Sequence, residues 1–366
     1  MRNFLNTKAT NLLSGILRTP PYIILFVSDK CPNNCLHCWY TKDWKKKNIT
    51  NKFLTFDEYE KLSKSISRIN FLSVTGGEAF MRDDLEDIIR VFIKNSKIKR
   101  LDIPTSGFDS DLIRRKAVNI LSEHRDTPFR IDVSLDGLEY THNRIRRNSD
   151  AYLNAVKTIR ILRELRKKHH QLDISLITTI SRNNYLEIED LSKLVEILLP
   201  DGEWMVNIVR GSGSEVIAGN NELESYKKAN DVINLRIKNN RFVGDRGHSI
   251  GKWLTAKNSL RRDIITEISE SKRKGGCCAA GSLAGVIFND GEVRPCESLD
   301  VSFGNVRDFD YNLPELWNSH RAKQIREEIQ YSNCLCTHEC FLSVSILLQP
   351  SSIFRLIKKR IVLNSF

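Results

Sequence analysis

Short apolar, β-branched runs alternate with longer amphipathic stretches through the first two thirds of the chain. Six runs stand out: Tyr22–Val27, Phe71–Val74, Arg100–Ile103, Phe129–Leu135, Leu172–Ile180 and Met205–Val209. Each reads as a buried strand. The segments between them carry apolar residues three and four apart. Tyr152, Ala155, Val156, Ile159, Leu162 and Leu165 share one helical face. Asp57-Glu58 and Asp83-Asp84 stand where helices should begin, the end at which acidic side chains suit the dipole. Strand–helix alternation predicts parallel strands with helical crossovers, hence an α/β barrel or open sheet.

In such folds ligands sit beyond the C-terminal ends of the strands. The polar and glycine-rich motifs of this chain fall there. Cys31 follows the first run, Thr75-Gly76-Gly77-Glu78 the second and Pro104-Thr105-Ser106-Gly107 the third. Ser134-Leu135-Asp136-Gly137 closes the fourth and Arg210-Gly211-Ser212-Gly213 follows the sixth. The expected divisions are a lead-in (1–20), the α/β unit (21–215), bridging polar helices (216–275), a Cys- and Gly-rich region (276–341) and a basic amphipathic tail (342–366).

The chain has 366 residues and is 40% hydrophobic, enough to bury a sizeable core. No apolar run reaches the roughly 18 residues of a membrane span. The N-terminus has a short apolar patch at Leu12-Leu13 and Ile16-Leu17 but no small-residue cleavage site, so no secretory signal is expected. Nine cysteines without such a signal point to a reduced, cytoplasmic chain whose cysteines hold metal. The net charge of +12 is spread through helical segments and reads first as a solvated surface. A phosphorylated or lipid-linked substrate is the second reading. Nothing basic and aromatic-interleaved suggests nucleic acid.

The first cysteine group reads Cys31-Pro-Asn-Asn-Cys35-Leu-His-Cys38, a C-x3-C-x2-C loop directly after the first run. Three thiolates on one loop can each hold a different iron of a four-iron cluster, leaving one iron open. With Gly76-Gly77-Glu78 at the next strand end, the pattern resembles the radical S-adenosylmethionine superfamily. The resemblance implies a partial (β/α)6 TIM-like barrel and a [4Fe-4S] cluster held by Cys31, Cys35 and Cys38. It implies that S-adenosylmethionine occupies the open iron and is cleaved reductively to a deoxyadenosyl radical. That radical abstracts hydrogen from the substrate. An external electron donor of the flavodoxin or ferredoxin kind is implied too. Gly76 and Gly77 would allow close approach to the methionyl group, and Glu78 would accept from its ammonium. His37 takes a position beside the adenine. The block Ser134-Leu135-Asp136-Gly137…His142-Asn143-Arg144-Ile145-Arg146 extends the resemblance. It assigns Ser134 and Arg146 to the carboxylate of S-adenosylmethionine. Asn143 and Ser106 depart from the usual residues. For Asp136 a turn role and a ligand role stand side by side.

The second group is Cys277, Cys278, Cys296, Cys334, Cys336 and Cys340. Ile287–Glu292 reads as a strand turning over Asp290-Gly291, with Cys296 in the second arm. The set resembles the SPASM/Twitch region that binds auxiliary [4Fe-4S] clusters. Six cysteines cannot fill two four-Cys sites, so one auxiliary cluster is expected. Its implied ligands are Cys278, Cys296, Cys336 and Cys340, with Cys334 a substitute for Cys336 and Cys277 spare. Zinc at either group is the competing chemistry.

The implied reaction is a radical oxidoreduction. A carbohydrate-like or lipid-linked small molecule is the leading substrate reading and a peptide the second. Only about 20 residues precede the first run, too few for the leader-binding module of many peptide-modifying relatives. A non-catalytic zinc protein is the distant alternative. No general base can be named. Tyr40, Asp102, Arg210 and Glu297 are candidates by position alone. In the tail, Ile353, Leu356, Ile357, Ile361 and Val362 share a helical face opposite basic residues. That allows peripheral membrane contact or packing on the barrel.

Overall fold

The computed structural model describes residues 17–38, 40, 53–210, 218–239, 249–273, 278–332 and 334–362. Leu12, Leu13 and Ile16, the Gly211–Gly213 turn and Cys277 lie outside the described residues. The expected alternation is present as β1 (Tyr22–Ser28), α1 (Phe56–Ser65), β2 (Phe71–Gly76), α2 (Leu85–Ser96), β3 (Leu101–Thr105) and α3 (Ser110–Glu123). It continues through β4 (Phe129–Ser134), α4 (Glu139–Arg146), α5 (Ala151–Lys168), β5 (Leu172–Ile180), α6 (Ile188–Leu198) and β6 (Glu203–Ile208). These six strands are parallel and paired in chain order. They form the partial (β/α)6 barrel that the alternation and the resemblance imply.

Local signals start the helices. Thr55 and Glu58 form a capping box on α1, and the Asp109 carboxylate caps α3 through two amides. Asp84 does precede α2, but its carboxylate is taken by Arg82 and caps nothing.

Beyond β6 come α7 (Asn220–Lys238) and α8 (Ser249–Ser271). The sheet then resumes on its other side. β7 (Ala284–Ile287) pairs parallel with β1, and β8 (Glu292–Arg294) and β9 (Gly304–Asn305) add antiparallel strands. The final order is β6-β5-β4-β3-β2-β1-β7-β8-β9. One sheet thus crosses the boundary expected near residue 276. Helices α9 (Leu313–Trp317), α10 (His320–Tyr331), α11 (Glu339–Ser345) and α12 (Pro350–Val362) complete the described chain. No single helix among the described residues is long and apolar enough to cross a membrane.

Strand residues alternate between two environments. Ile23, Leu25 and Val27 of β1 join the large core under the helices. Tyr22, Ile24 and Phe26 point to the barrel interior and pack with Val286, Phe288, Tyr40 and Phe341. The register carries the interior face around the sheet, from Ile24 to Ser73, Asp102 and Arg130. There the interior is charged. Arg130 Nε lies 2.7 Å from Asp102 and 3.0 Å from Asp132, and its Nη1 lies 3.0 Å from Glu203. Asn258 of α8 also donates to Glu203, at 3.1 Å. The interior therefore has an apolar wall at β1 and β7 and an ion-pair network at β3–β6. Asp102, one of the general-base candidates, belongs to that network, in the N-terminal half of β3.

Candidate functional site

The Cys31–Cys38 loop and the residues leading into it are fixed mainly by backbone bonds to the end of β2 and the end of α4. Gly77 N–H donates to the Ser28 carbonyl at 2.8 Å and Glu78 N–H to the Lys30 carbonyl at 2.7 Å. Farther along, Asn34 and Leu36 donate to the carbonyls of Arg146 and Ile145 at the end of α4. The paired glycines serve this docking. A Cβ on Gly77 would lie 2.5 Å from the Lys30 carbonyl, and one on Gly76 would lie 2.3 Å from that of Ser28. The close approach they permit in this chain is to the backbone of Ser28 and Lys30.

Cys35 is buried, while Cys31 and Cys38 are partly open. The three thiols are near enough to act on one another, and burial pushes Cys31 up to about 11. Burial also raises Cys35, opposed by Arg146. Arg146 Nη1 donates to the Cys35 sulfur at 3.6 Å. Its Nη2 pairs with Asp136 at 2.5 Å. Its Nε–H is buried with no partner in the protein. The carboxylate-binding residue of the sequence reading is thus tied to a thiol and to Asp136, with one donor in reserve.

Asp136 is the hub of this corner. Its Oδ1 accepts from Thr179 N–H at 2.9 Å, and its carbonyl accepts from the Asn184 amide at 2.7 Å. Its own N–H donates to His142 Nδ1 at 2.9 Å. Burial works to raise its pKa, but Arg146, His37 and His142 outweigh it and leave it lowered. Burial and the Arg146 charge push His142 down to about 3, so the ring is neutral with its proton on Nε2. His37 Nε2 lies 3.9 Å from the Asp136 carboxylate. Asp136 therefore shapes this turn and holds Arg146. The sequence motif contains His142 but gives it no role, and it does not point to Asn184 at all; both act through contacts between neighbouring strand ends.

Glu78 is buried and its Oε2 accepts from both the amide and the hydroxyl of Ser106, each at 2.8 Å. Burial raises its pKa. Ser106, where the usual turn has another residue, fixes the direction of Glu78. Ser134 ends β4, half-buried.

The second cysteine group gathers from three segments around the loops after β7 and β8. Cys296 lies two residues past β8, beyond the second arm in which it was expected. Cys336 interacts with Cys334, Cys278 and Cys296. Cys334, weighed as a substitute, is thus a full member of the gathering. Cys340 packs with Cys278 and Cys296 on the apolar wall and shares hydrogen bonds with Tyr22 and His338. Gln330 anchors the Cys278 carbonyl at 2.9 Å, and Ser345 accepts from Ala279 N–H at 2.9 Å. Glu297 and His338 form a short buried ion pair beside these sulfurs. Arg210 lies 3.4 Å from Glu339. Tyr40 stacks on Phe26 at 5.3 Å, and Phe26 on Phe288 at 4.7 Å. Cys38 touches the same wall from the other side. Among the described residues, no group of three or more His, Cys, Asp or Glu converges as a single-ion site.

Three thiols around an open strand end, a cation at one of them and a second thiol group on a shared wall make a donor set suited to iron–sulfur clusters. Residues 25–195 match the Radical SAM superfamily, and residues 277–341 match the iron-sulfur cluster-binding SPASM domain. The chain belongs to the radical SAM superfamily and carries a SPASM-type auxiliary region. S-adenosylmethionine, the [4Fe-4S] cluster that binds it and an auxiliary [4Fe-4S] cluster are its cofactors. The donor set fits them, since thiolates are the ordinary ligands of such clusters and the Arg146 Nε–H is an orphaned donor beside the first set.

Solved structures share the fold over nearly the whole chain. Native anSMEcpe with bound AdoMet is 15% identical with a TM-score of 0.60, covering 94% of this chain and 100% of that one. The same protein with AdoMet and the Cp18Cys peptide is 17% identical with a TM-score of 0.58, covering 94% and 97%. Streptococcus suis SuiB bound to its precursor peptide SuiA is 15% identical with a TM-score of 0.60, covering 93% and 76%.

Proposed function

We propose that this chain is a peptide-modifying radical SAM oxidoreductase. Bound together, S-adenosylmethionine and its cluster supply a hydrogen-abstracting deoxyadenosyl radical. The residues of the chain supply the positioning. Cys31, Cys35 and Cys38 are the proposed ligands of the first cluster. Arg146 Nε–H and Ser134 are the donors proposed for the carboxylate of S-adenosylmethionine. Glu78, aimed by Ser106, is the acceptor for its ammonium. Gly76 and Gly77 hold the cysteine loop against the strand ends, and His37 borders the adenine. Cys278, Cys296, Cys334, Cys336 and Cys340 supply the ligands of the auxiliary cluster. Glu297, paired with His338 beside those sulfurs, is better placed to take a substrate proton than Asp102.

The observation that carries the oxidative reading is the shared wall. Cys38 and the auxiliary cysteines pack on the same apolar cluster of β1 and β7. A substrate held at the first centre is then within reach of the second as an electron acceptor. The peptides bound by anSMEcpe and SuiB favour a peptide over the carbohydrate-like or lipid-linked substrate. An acidic one-electron carrier of the flavodoxin or ferredoxin kind completes the scheme as reductant.

The test is anaerobic reconstitution, then incubation with S-adenosylmethionine, dithionite and either a mixed peptide pool or a panel of sugars and aminoglycosides. Peptide-stimulated deoxyadenosine formation, with a two-hydrogen mass loss in a peptide, is expected. Stimulation by a sugar alone would reverse the substrate reading. Zinc without sulfide in the purified chain would end the enzyme reading.

A further inference from the structure

Helix α12 has two faces with different tasks. Leu356 and Ser352 are buried. Arg355 bonds Glu267 of α8 at 3.0 Å, and Lys359 pairs with Asp263 of α8 at 2.8 Å. At 3.6 residues per turn these four positions span an arc of about 100°. That arc is the attachment of α12 to α8.

The opposite arc is apolar and faces solvent. Ile353, Ile357, Ile361 and Phe354 are 42%, 44%, 61% and 72% exposed. They also span about 100° of the helix. Lys358 borders this stripe on one side and Arg360 on the other. The Arg360 guanidinium lies 5.8 Å from the ring centre of Trp253, a residue itself 42% exposed. A folded protein seldom leaves such a stripe uncovered without a use for it.

We propose that this face of α12 docks on an anionic lipid surface and holds the enzyme at a membrane. Three observations choose lipid as the occupant. Lys358 flanks the exposed apolar stripe, and on its other side Arg360, with Nε and Nη1 buried, lies over the half-exposed Trp253, a cationic and aromatic border suited to a headgroup layer. Trp253 at the border suits the same layer, with an apolar ring and a polar N–H. The chain carries a net charge of +12. A second copy seated on the stripe would bring the bordering cations of the two copies near one another, since a two-fold contact uses the same patch on both. The inference is independent of the substrate reading, because it rests on the solvent face of α12, which carries no cysteine.

Sedimentation of the reconstituted full chain with phosphatidylglycerol/phosphatidylcholine vesicles tests it, against vesicles of phosphatidylcholine alone. Binding to the anionic vesicles is expected, weakened by raised salt. The exposed double variant Phe354→Asp/Ile357→Asp should lose at least tenfold in affinity. Lys358→Gln, which leaves the stripe intact, should lose about fivefold. Unchanged deoxyadenosine formation in each variant shows that it has folded. Absence of wild-type binding overturns the proposal, as does equal binding to both vesicle types. Undiminished binding by both variants overturns it too. So does a wild-type dimer that Phe354→Asp turns into a monomer, which would assign the face to a second copy.

Discussion

The two cysteine groups are built in opposite ways. The first is one loop of eight residues, clamped through its backbone by the end of α4, with the residues leading into it held by the end of β2. The second is collected from residues 278, 296 and 334–340 and anchored in part by side chains, Gln330 and Ser345. A loop clamped by backbone keeps its geometry whatever its side chains hold. A gathering from three segments keeps its geometry only while all three stay packed. The first site is therefore preformed for a demanding ligand, and the second is adaptable in which thiols it offers.

The largest effect should come from the first group. Cys35→Ala should abolish deoxyadenosine formation and cut iron from about eight to about four per chain. Retained cleavage of S-adenosylmethionine would refute the assignment. Next, Asp136→Ala should leave Arg146 buried without its partner and destabilise the fold by about 3–5 kcal/mol, read by denaturant unfolding. An unchanged midpoint would show that the ion pair does not hold this corner.

The second group should respond differently. Cys296→Ala should remove about four irons and the peptide product, while S-adenosylmethionine cleavage persists. Single alanine variants at Cys334, Cys336 and Cys340, scored by iron content, would show which thiols the auxiliary cluster uses. If any one of the three is dispensable, the adaptable character of this group is supported.

The smallest effect should come from the tie between the two halves. Glu58 of α1 accepts from Arg307 Nε at 2.6 Å and from the Tyr311 hydroxyl at 2.8 Å. The Arg307 hydrogen bonds hold its pKa down to about 2. Its folded pKa lies below its unfolded one, so the tie stabilises above about pH 4.5 and is lost as pH falls toward 2. Glu58→Gln should cost about 1–2 kcal/mol at neutral pH. The gap to wild type should close below pH 4.5. A gap independent of pH would assign the loss to packing.

Legibility in the sequence follows the same division. All six barrel strands were visible, because each is a compact apolar run and their pairing follows chain order. The first cysteine loop and Gly76-Gly77-Glu78 were visible because they are local spacings at strand ends. The bond from Ser106 to Glu78 and the role of His142 were not, since they depend on how neighbouring strand ends meet. The place of β7 beside β1 was hidden for the same reason. Ala284 pairs with Tyr22 across the length of the barrel, and no local pattern announces it. That Cys334 lies near Cys296 was likewise invisible, since the two come from distant segments.

That placement of β7 has a consequence for anyone cutting the chain. β1 is buried at all seven positions, and β7 covers one of its two hydrogen-bonding edges. Removing the residues after 273 would strip that edge and bare a long, apolar strand, a template for aggregation. The barrel cannot be expressed as a stand-alone module or given a foreign auxiliary region without a replacement for this one short strand.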